Sequence, residues 1–296
     1  MTETRCGAIA IVGRPNVGKS TLLNRIVGQK ISITSRKPQT TRHRLLGIHT
    51  AGLNQFLFID TPGWQRQPKG RLNRFMNRQI DIALSDIDAV VMVCDARRWT
   101  DEDEAVAAAL PYDALPCLLV LNKHDRVEPK ERLLALMAEL DARHRFRHLI
   151  PTCALSGDNV ERLLDALAHY LPLAPHRHDA DALTDRPLRF LAAETVREKL
   201  TRQLGDELPY AVHVTIDSFV EQPGLTRIEA TIWVERESQK AIVIGSKGER
   251  LKRVSSEARI DLERLLGHRV YLRCWVREQE NWSADPRHFP LVEPGE

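Results

Sequence analysis

A chain of 296 residues is long for one ordinary small domain and fits two. Hydrophobic residues at 43% and charged residues at 28% exclude a wholly disordered chain, and a formal net charge of +3 is too small to announce a polyanionic partner by itself. Five scattered cysteines (Cys6, Cys94, Cys117, Cys153, Cys274) make neither a disulfide framework nor a zinc site, and no run nears the roughly 20 apolar residues that span a bilayer.

The chain opens MTETRCGAIAIVG, without a basic region leading into a long apolar stretch, so no secretory signal is expected and a reducing, cytoplasmic setting is. Apolar strands are predicted at Cys6–Val12, Arg44–Thr50, Gln55–Ile59, Ala89–Cys94, Cys117–Leu121 and His148–Thr152. Helical patterns fall at Lys19–Val27, Arg71–Leu84, Asp101–Leu110, Lys130–Arg143 and Val160–Tyr170. Near-continuous apolar strands alternating with helices predict an α/β domain with a mixed, mainly parallel sheet buried on both faces. That domain takes residues 1–173. Residues 174–187 carry Pro175, Pro187 and a polar string without periodicity, and read as a flexible linker; His176 and His178 within it read as solvated rather than as metal ligands. Residues 188–296 change order: helix Leu188–Leu204, strands Ala211–Phe219 and Thr226–Glu235, a helix, a glycine turn, helix Glu249–Leu266 and strand Arg269–Val276. This is a smaller α+β unit with a carboxy-terminal tail.

The first motif that carries chemistry is Gly13-Arg14-Pro15-Asn16-Val17-Gly18-Lys19-Ser20, followed by Thr21, between a strand and a helix. It matches G-x-x-x-x-G-K-[ST], in which backbone N–H groups and the helix start surround a polyphosphate. Lys19 is expected on the β- and γ-phosphates and Ser20 on Mg²⁺. Asp60-Thr61-Pro62-Gly63 ends a later strand: Asp60 can hold the metal through water, and the Gly63 N–H can meet the γ-phosphate. In the polar loop Gln39–Arg42, a threonine hydroxyl can complete the Mg²⁺ shell when the γ-phosphate draws the loop in. Thr41 is favoured, but spacing alone does not choose between it and Thr40. Lys19, Thr41 and Gly63 are therefore the candidates for transition-state positioning, with no general base. Asn122-Lys123-His124-Asp125 follows another strand. A carboxylate there accepts from N1–H and the exocyclic amine of guanine, donors that adenine lacks at those positions, so Asp125 selects GTP over ATP.

On GRPNVGKS at 13–20, QTTRHR at 39–44, DTPGW at 60–64 and NKHD at 122–125, the chain resembles the TrmE–Era superfamily and, within it, the Era family of GTPases. The family's base-contacting loop reads S-A, and Thr152-Cys153-Ala154 stands in its place. The Ala154 backbone contact would persist, whereas Cys153 weakens or loses any serine hydroxyl bond. Many GTPases carry a water-orienting glutamine where this chain has Trp64, whose indole has no acceptor. The resemblance implies a class with a hydrophobic residue there, slow intrinsic hydrolysis, and K⁺ held by Asn16, the counterpart of a potassium ligand in related members.

Gly245-Ser246-Lys247-Gly248 joins two helices in the second unit. G-x-x-G in that setting looks like a KH domain, of type II by its αββααβ order, whose loop clamps a single-stranded backbone of about four nucleotides. Lys252 and Arg253 on the next helix join the candidate RNA contacts. Trp233 and Trp275, in alternating strands, read as core or half-buried, and Trp282 in the tail as a candidate stacking residue. The resemblance implies a monomeric, nucleotide-switched protein that binds single-stranded RNA near the 3′ end of 16S ribosomal RNA and assists small-subunit assembly, with peripheral association at the inner membrane face reported for family members. The rival readings are a GTPase serving a modification complex and an RNA-binding scaffold that barely hydrolyses GTP.

Overall fold

In the computed structural model, residues 3–34, 44–60, 86–204 and 212–279 are described. Helix Arg71–Leu84, the Thr40/Thr41 pair, Thr61 to Trp64 and Trp282 lie outside them. The chain divides into two compact units, with the boundary between Arg186 and Pro187.

The first unit is built on a six-stranded sheet: β1 (Arg5–Val12), β2 (Leu45–Ala51), β3 (Asn54–Asp60), β4 (Ala89–Asp95), β5 (Cys117–Asn122) and β6 (His148–Thr152). Their order is β2-β3-β1-β4-β5-β6, with β2 antiparallel to β3 and the other pairings parallel. Strands buried on both faces explain the unbroken apolar runs: Ile9, Ile11, Phe58, Met92, Leu118 and Leu119 are all 0% exposed. The chain leaves β1 toward β3 and later returns to β4 on the other side of β1. That reversal opens a crevice at the carboxyl ends of the strands. Register brings the functional loops to one level there, since Ile11 pairs with Asp60, Asp95 with Asn122, and Asn122 with Thr152.

Helix α1 (Lys19–Val27) buries Leu22, Leu23, Ile26 and Val27, a stripe at helical spacing, and stops at Gly28 in a left-handed conformation whose N–H reaches Asn24 O at 3.1 Å. Helix α2 (Asp101–Ala108) starts on a reciprocal Thr100–Asp103 capping box. Helices α3 (Glu131–Arg143) and α4 (Val160–Ala168) follow β5 and β6.

The segment expected to be a free linker is laid along the first unit. Ala174 N donates to Thr4 O, Ile48 N donates to Leu183 O, and Gly47 bridges Thr184, so the outer edge of β2 is covered. Gln55, fully buried, accepts from the Arg177 and His178 amides at 2.8 and 3.0 Å and donates to His178 O at 2.8 Å. Composition shows polar residues and prolines here; it does not show that their backbone groups have partners more than 100 positions upstream.

The second unit runs α5 (Leu188–Gln203), β7 (Val212–Gln222), β8 (Leu225–Val234), α6 (Glu237–Ile244), α7 (Glu249–Leu266) and β9 (Arg269–Glu278). Central β8 is antiparallel to β7 and parallel to β9. Val254, Ala258 and Leu262 form the buried stripe of α7, and the helices meet one sheet face through Val214, Ala230, Ile232 and Val243. The opposite face carries the other residues of each strand.

Candidate functional site

The phosphate loop is shaped where side chains are forbidden. Gly18 has φ +108°, and a Cβ on it would stand 2.2 Å from Asn122 Nδ2. With its backbone free to approach, Asn122 becomes a strut. Its Nδ2 donates to Val17 O at 2.7 Å, and its Oδ1 accepts from Ala154 N at 2.9 Å. One buried amide therefore ties the phosphate loop to the loop after β6. The Ala154 N–H expected at a base is thus already shared with Asn122. Cys153 is buried, and its own N–H donates to Asp158 O at 3.1 Å.

Lys19 is buried and donates to Gly13 O at 2.9 Å and Arg14 O at 3.0 Å, which holds its ammonium inside the loop. Burial pulls its pKa down to about 8, against the opposing attraction of Asp60. Asp60, also fully buried, is pushed up by burial, while Lys19, Ser20 and Ser32 oppose that shift. Its Oδ2 accepts from Ser20 at 2.7 Å and Ser32 at 2.9 Å. Its Oδ1 is buried without a hydrogen-bond partner among the described residues. A buried, unpaired carboxylate oxygen beside a serine hydroxyl suits a hard divalent cation, so the donor set fits Mg²⁺.

Lys123 has φ +64° and donates to Asn16 O at 2.9 Å and Asp95 Oδ2 at 3.0 Å. Burial would raise the Asp95 pKa, but hydrogen bonds from Arg97 and Lys123 outweigh it and hold the carboxyl well below the usual carboxylate range. Asp125 is the open member of its motif: its side chain is 46% exposed, with Arg126 Nε 3.9 Å away. His124 Nε2 lies 2.6 Å from Asp158 Oδ2, joining the β5 and β6 loops from another side. Thr21 lines a cleft of about 260 Å³ with Arg25, Gln29, Lys30, Ala154 and Leu155. Pro15 and exposed Asn16 complete the loop, Asn16 with φ +65°.

Three contacts escape motif reading. Arg14 Nε donates to fully buried Asp103 at 2.9 and 3.1 Å, anchoring the phosphate loop to α2. Ser32 is the second donor to Asp60. Asn24 holds Ser32 in place, accepting from the Ile31 and Ser32 amides at 3.0 and 2.8 Å. None has a local signature; Thr100-x-x-Asp103 signals only a helix start.

In the second unit, Gly245 has φ +74°, and a Cβ there would meet Arg250 Cβ at 2.7 Å. Ser246 and Lys247 are exposed at the tip, Lys247 with φ +48°, and Gly248 opens α7 with φ +79°. The Arg250 guanidinium turns back to Ile242 O. Lys252 and Arg253 are exposed; Arg253 pairs with Glu257 at 3.0 Å, an exposed contact too weak to withhold it from a polyanion. Trp233 is half-buried, with Nε1 donating to Thr215 Oγ1 at 2.9 Å, whereas Trp275 is 42% exposed on the sheet face away from the helices.

A phosphate loop, a buried carboxylate whose surroundings fit Mg²⁺ and an Asn-Lys-x-Asp string at a strand end of this sheet, followed by a G-x-x-G turn between helices on a three-stranded sheet, define a P-loop GTPase joined to a KH domain. Residues 8–123 match a family model described as 50S ribosome-binding GTPase, and residues 207–283 match the KH domain model. The chain is 50% identical over 285 residues to GTPase Era of Marinobacter nauticus, covering 96% of this chain and 93% of that one. It is 49% identical over 286 residues to GTPase Era of Pseudomonas savastanoi pv. phaseolicola, covering 97% and 95%. The chain belongs to the GTPase Era family. A solved Era in complex with MgGDPNP and nucleotides 1506–1542 of 16S ribosomal RNA superposes with a TM-score of 0.90 at 36% identity, covering 97% of this chain and 98% of that one. A single-substitution variant of Aquifex aeolicus Era, bound to GDP·AlF4⁻, superposes with a TM-score of 0.91, also at 36% identity and with the same coverages.

Proposed function

We propose that this protein is a GTP-hydrolysing switch that binds single-stranded RNA near the 3′ end of 16S ribosomal RNA and assists assembly of the small ribosomal subunit. The observation that carries the nucleotide half is the Asn122 strut, which joins the phosphate and base loops while leaving Asp125 open to accept the two guanine donors. Lys19 exchanges its loop carbonyls for the β- and γ-phosphates. Ser20 and Asp60 would hold Mg²⁺, which would supply charge neutralisation on the phosphates. Thr41 and Gly63 meet the γ-phosphate, Asn16 would hold K⁺, and Trp64, whose indole has no acceptor, orients no water. Cys153 and Ala154 close the base loop. The relative solved with GDP·AlF4⁻ favours hydrolysis over a scaffold that only binds GTP.

For the RNA half, Gly245 to Gly248 lets backbone approach backbone, with Lys247, Lys252 and Arg253 supplying charge. No helix among the described residues is long and apolar enough to cross a membrane, and the working compartment we assign is the cytoplasm. The test replaces both tip residues, Ser246→Asp and Lys247→Asp, keeping the glycines. RNA affinity should fall at least about tenfold at low salt, because two negative charges meet phosphates. GTP affinity should stay at the wild-type value. Intact RNA affinity, read by filter binding on the preparation used for GTP titration, overturns the KH assignment.

A further inference from the structure

The positive charge of the second unit is unevenly committed. On α7, Arg253, Arg259 and Arg264 each meet a carboxylate of their own helix. On the open sheet face the arginines meet rings instead. Arg273 lies 4.2 Å from the Trp275 ring centroid, and Arg227 lies 5.7 Å from that of Tyr271. Arg227, Arg273 and Arg277 are exposed and have no carboxylate within ion-pair distance among the described residues. Tyr271 and Trp275 are 48% and 42% exposed.

Period-2 alternation explains the row. In β9, Val270, Leu272, Cys274 and Val276 go to the helices, which sends Tyr271, Arg273, Trp275 and Arg277 outward. Register with β8 sets Arg227 beside Tyr271 and Thr231 beside Trp275. Acids among the described residues of this face include Asp217, which accepts from Thr231 at 2.6 Å, and exposed Glu229, which lies in register with Arg273. Arg227, Arg273 and Arg277, with Arg269 at the start of the same outward row, outnumber these two.

We propose that the open face of the β7–β8–β9 sheet is a second platform for single-stranded RNA, separate from the Gly245–Gly248 turn, which joins helices packed on the other face. Bases stack on Trp275 and Tyr271, the Arg273 guanidinium extends the first ring as a planar surface, and Arg227 and Arg277 take phosphates. Alternating planar and cationic groups fit this ligand better than an acidic protein, for which arginine alone would serve. The inference rests on the RNA-binding reading above and lengthens the strand the protein can hold.

The test uses the full chain and labelled single-stranded RNAs of about 4, 8 and 16 nucleotides, read by fluorescence anisotropy. Wild-type affinity should rise with length. Arg273→Ala/Trp275→Ala should lose about tenfold or more on the longest RNA, with little change on the shortest and none in GTP affinity. Trp275→Phe, which keeps a ring, should stay within about threefold of wild type. Arg227→Gln/Arg277→Gln should flatten the salt dependence by about 1.4 in log–log slope, at ~0.7 per single-strand phosphate contact. Wild-type affinity for the longest RNA in the Arg273→Ala/Trp275→Ala protein overturns the platform while leaving the turn's role standing. Failure of the wild type to bind any of these RNAs overturns both readings. A wild-type dimer dispersed by Trp275→Ala, with RNA affinity unchanged, gives the face to a second copy and overturns the proposal.

Discussion

Replacing Asn122 by alanine tests whether one amide holds the nucleotide site together. The substitution removes the 2.7 Å bond to Val17 O and the 2.9 Å bond from Ala154 N, leaving a buried acceptor and a buried donor without that partner. Each such group costs about 1–3 kcal/mol, so the nucleotide-bound protein should lose about 2–6 kcal/mol. The loss divides between stability of the free protein and affinity, because loops that come apart when free must be reordered on binding. The quantity to measure is the sum: the change in unfolding free energy from urea denaturation plus the change in GTP binding free energy from titration. Were it all in affinity, about 2 kcal/mol would be roughly thirtyfold in Kd. Asn122→Asp separates hydrogen bonding from shape. It keeps the acceptor for Ala154 but turns a carboxylate oxygen toward Val17 O, so it should be at least as damaging as alanine. A combined loss below about 0.5 kcal/mol for alanine, or a benign aspartate, would refute the strut.

Three further outcomes follow from the site and its surroundings. Asp125→Asn should weaken GTP and improve xanthosine triphosphate binding in competition titration, since the exposed carboxylate no longer accepts two guanine donors. Hydrolysis should run faster in K⁺ than in Na⁺, and Asn16→Ala should abolish that difference in a phosphate-release assay; equal wild-type rates remove the ion from the mechanism. Gln55→Leu should release the backbone around Arg177 and His178, seen as faster tryptic cleavage after Arg177 under native conditions.

Much of the site is legible because its chemistry is local. Gly13 to Ser20, Asp60 and Asn122 to Asp125 are short strings whose spacing is set by the backbone, and apolar runs place them at strand ends. Strand register then brings them together without further information. Contacts made by ordinary residues across long separations are not legible. Nothing around Ser32 marks it as a donor to Asp60, and nothing in Arg14 points to Asp103, 89 positions away. Trp275 shows a second kind of limit: alternation shows that Trp275 and Cys274 face opposite ways, but only the packed helices decide which face is open. At residues 174–186, composition reads as a loop because side chains are polar, while the structure is carried by main-chain groups.

A free tether of about 14 residues would let its ends wander over roughly 20 Å. This one is pinned along its length, and its last residue before the second unit, Arg186, donates to Arg44 O at 2.8 Å. Pro187, with φ −67° locked by its ring, then opens α5. What remains free between the pinned segment and the helix is a handful of rotatable bonds in place of dozens. Arg44 immediately precedes β2 and follows the stretch that holds Thr40 and Thr41. The end of the segment is thus fastened at the entrance to β2, a strand of the first unit's own sheet.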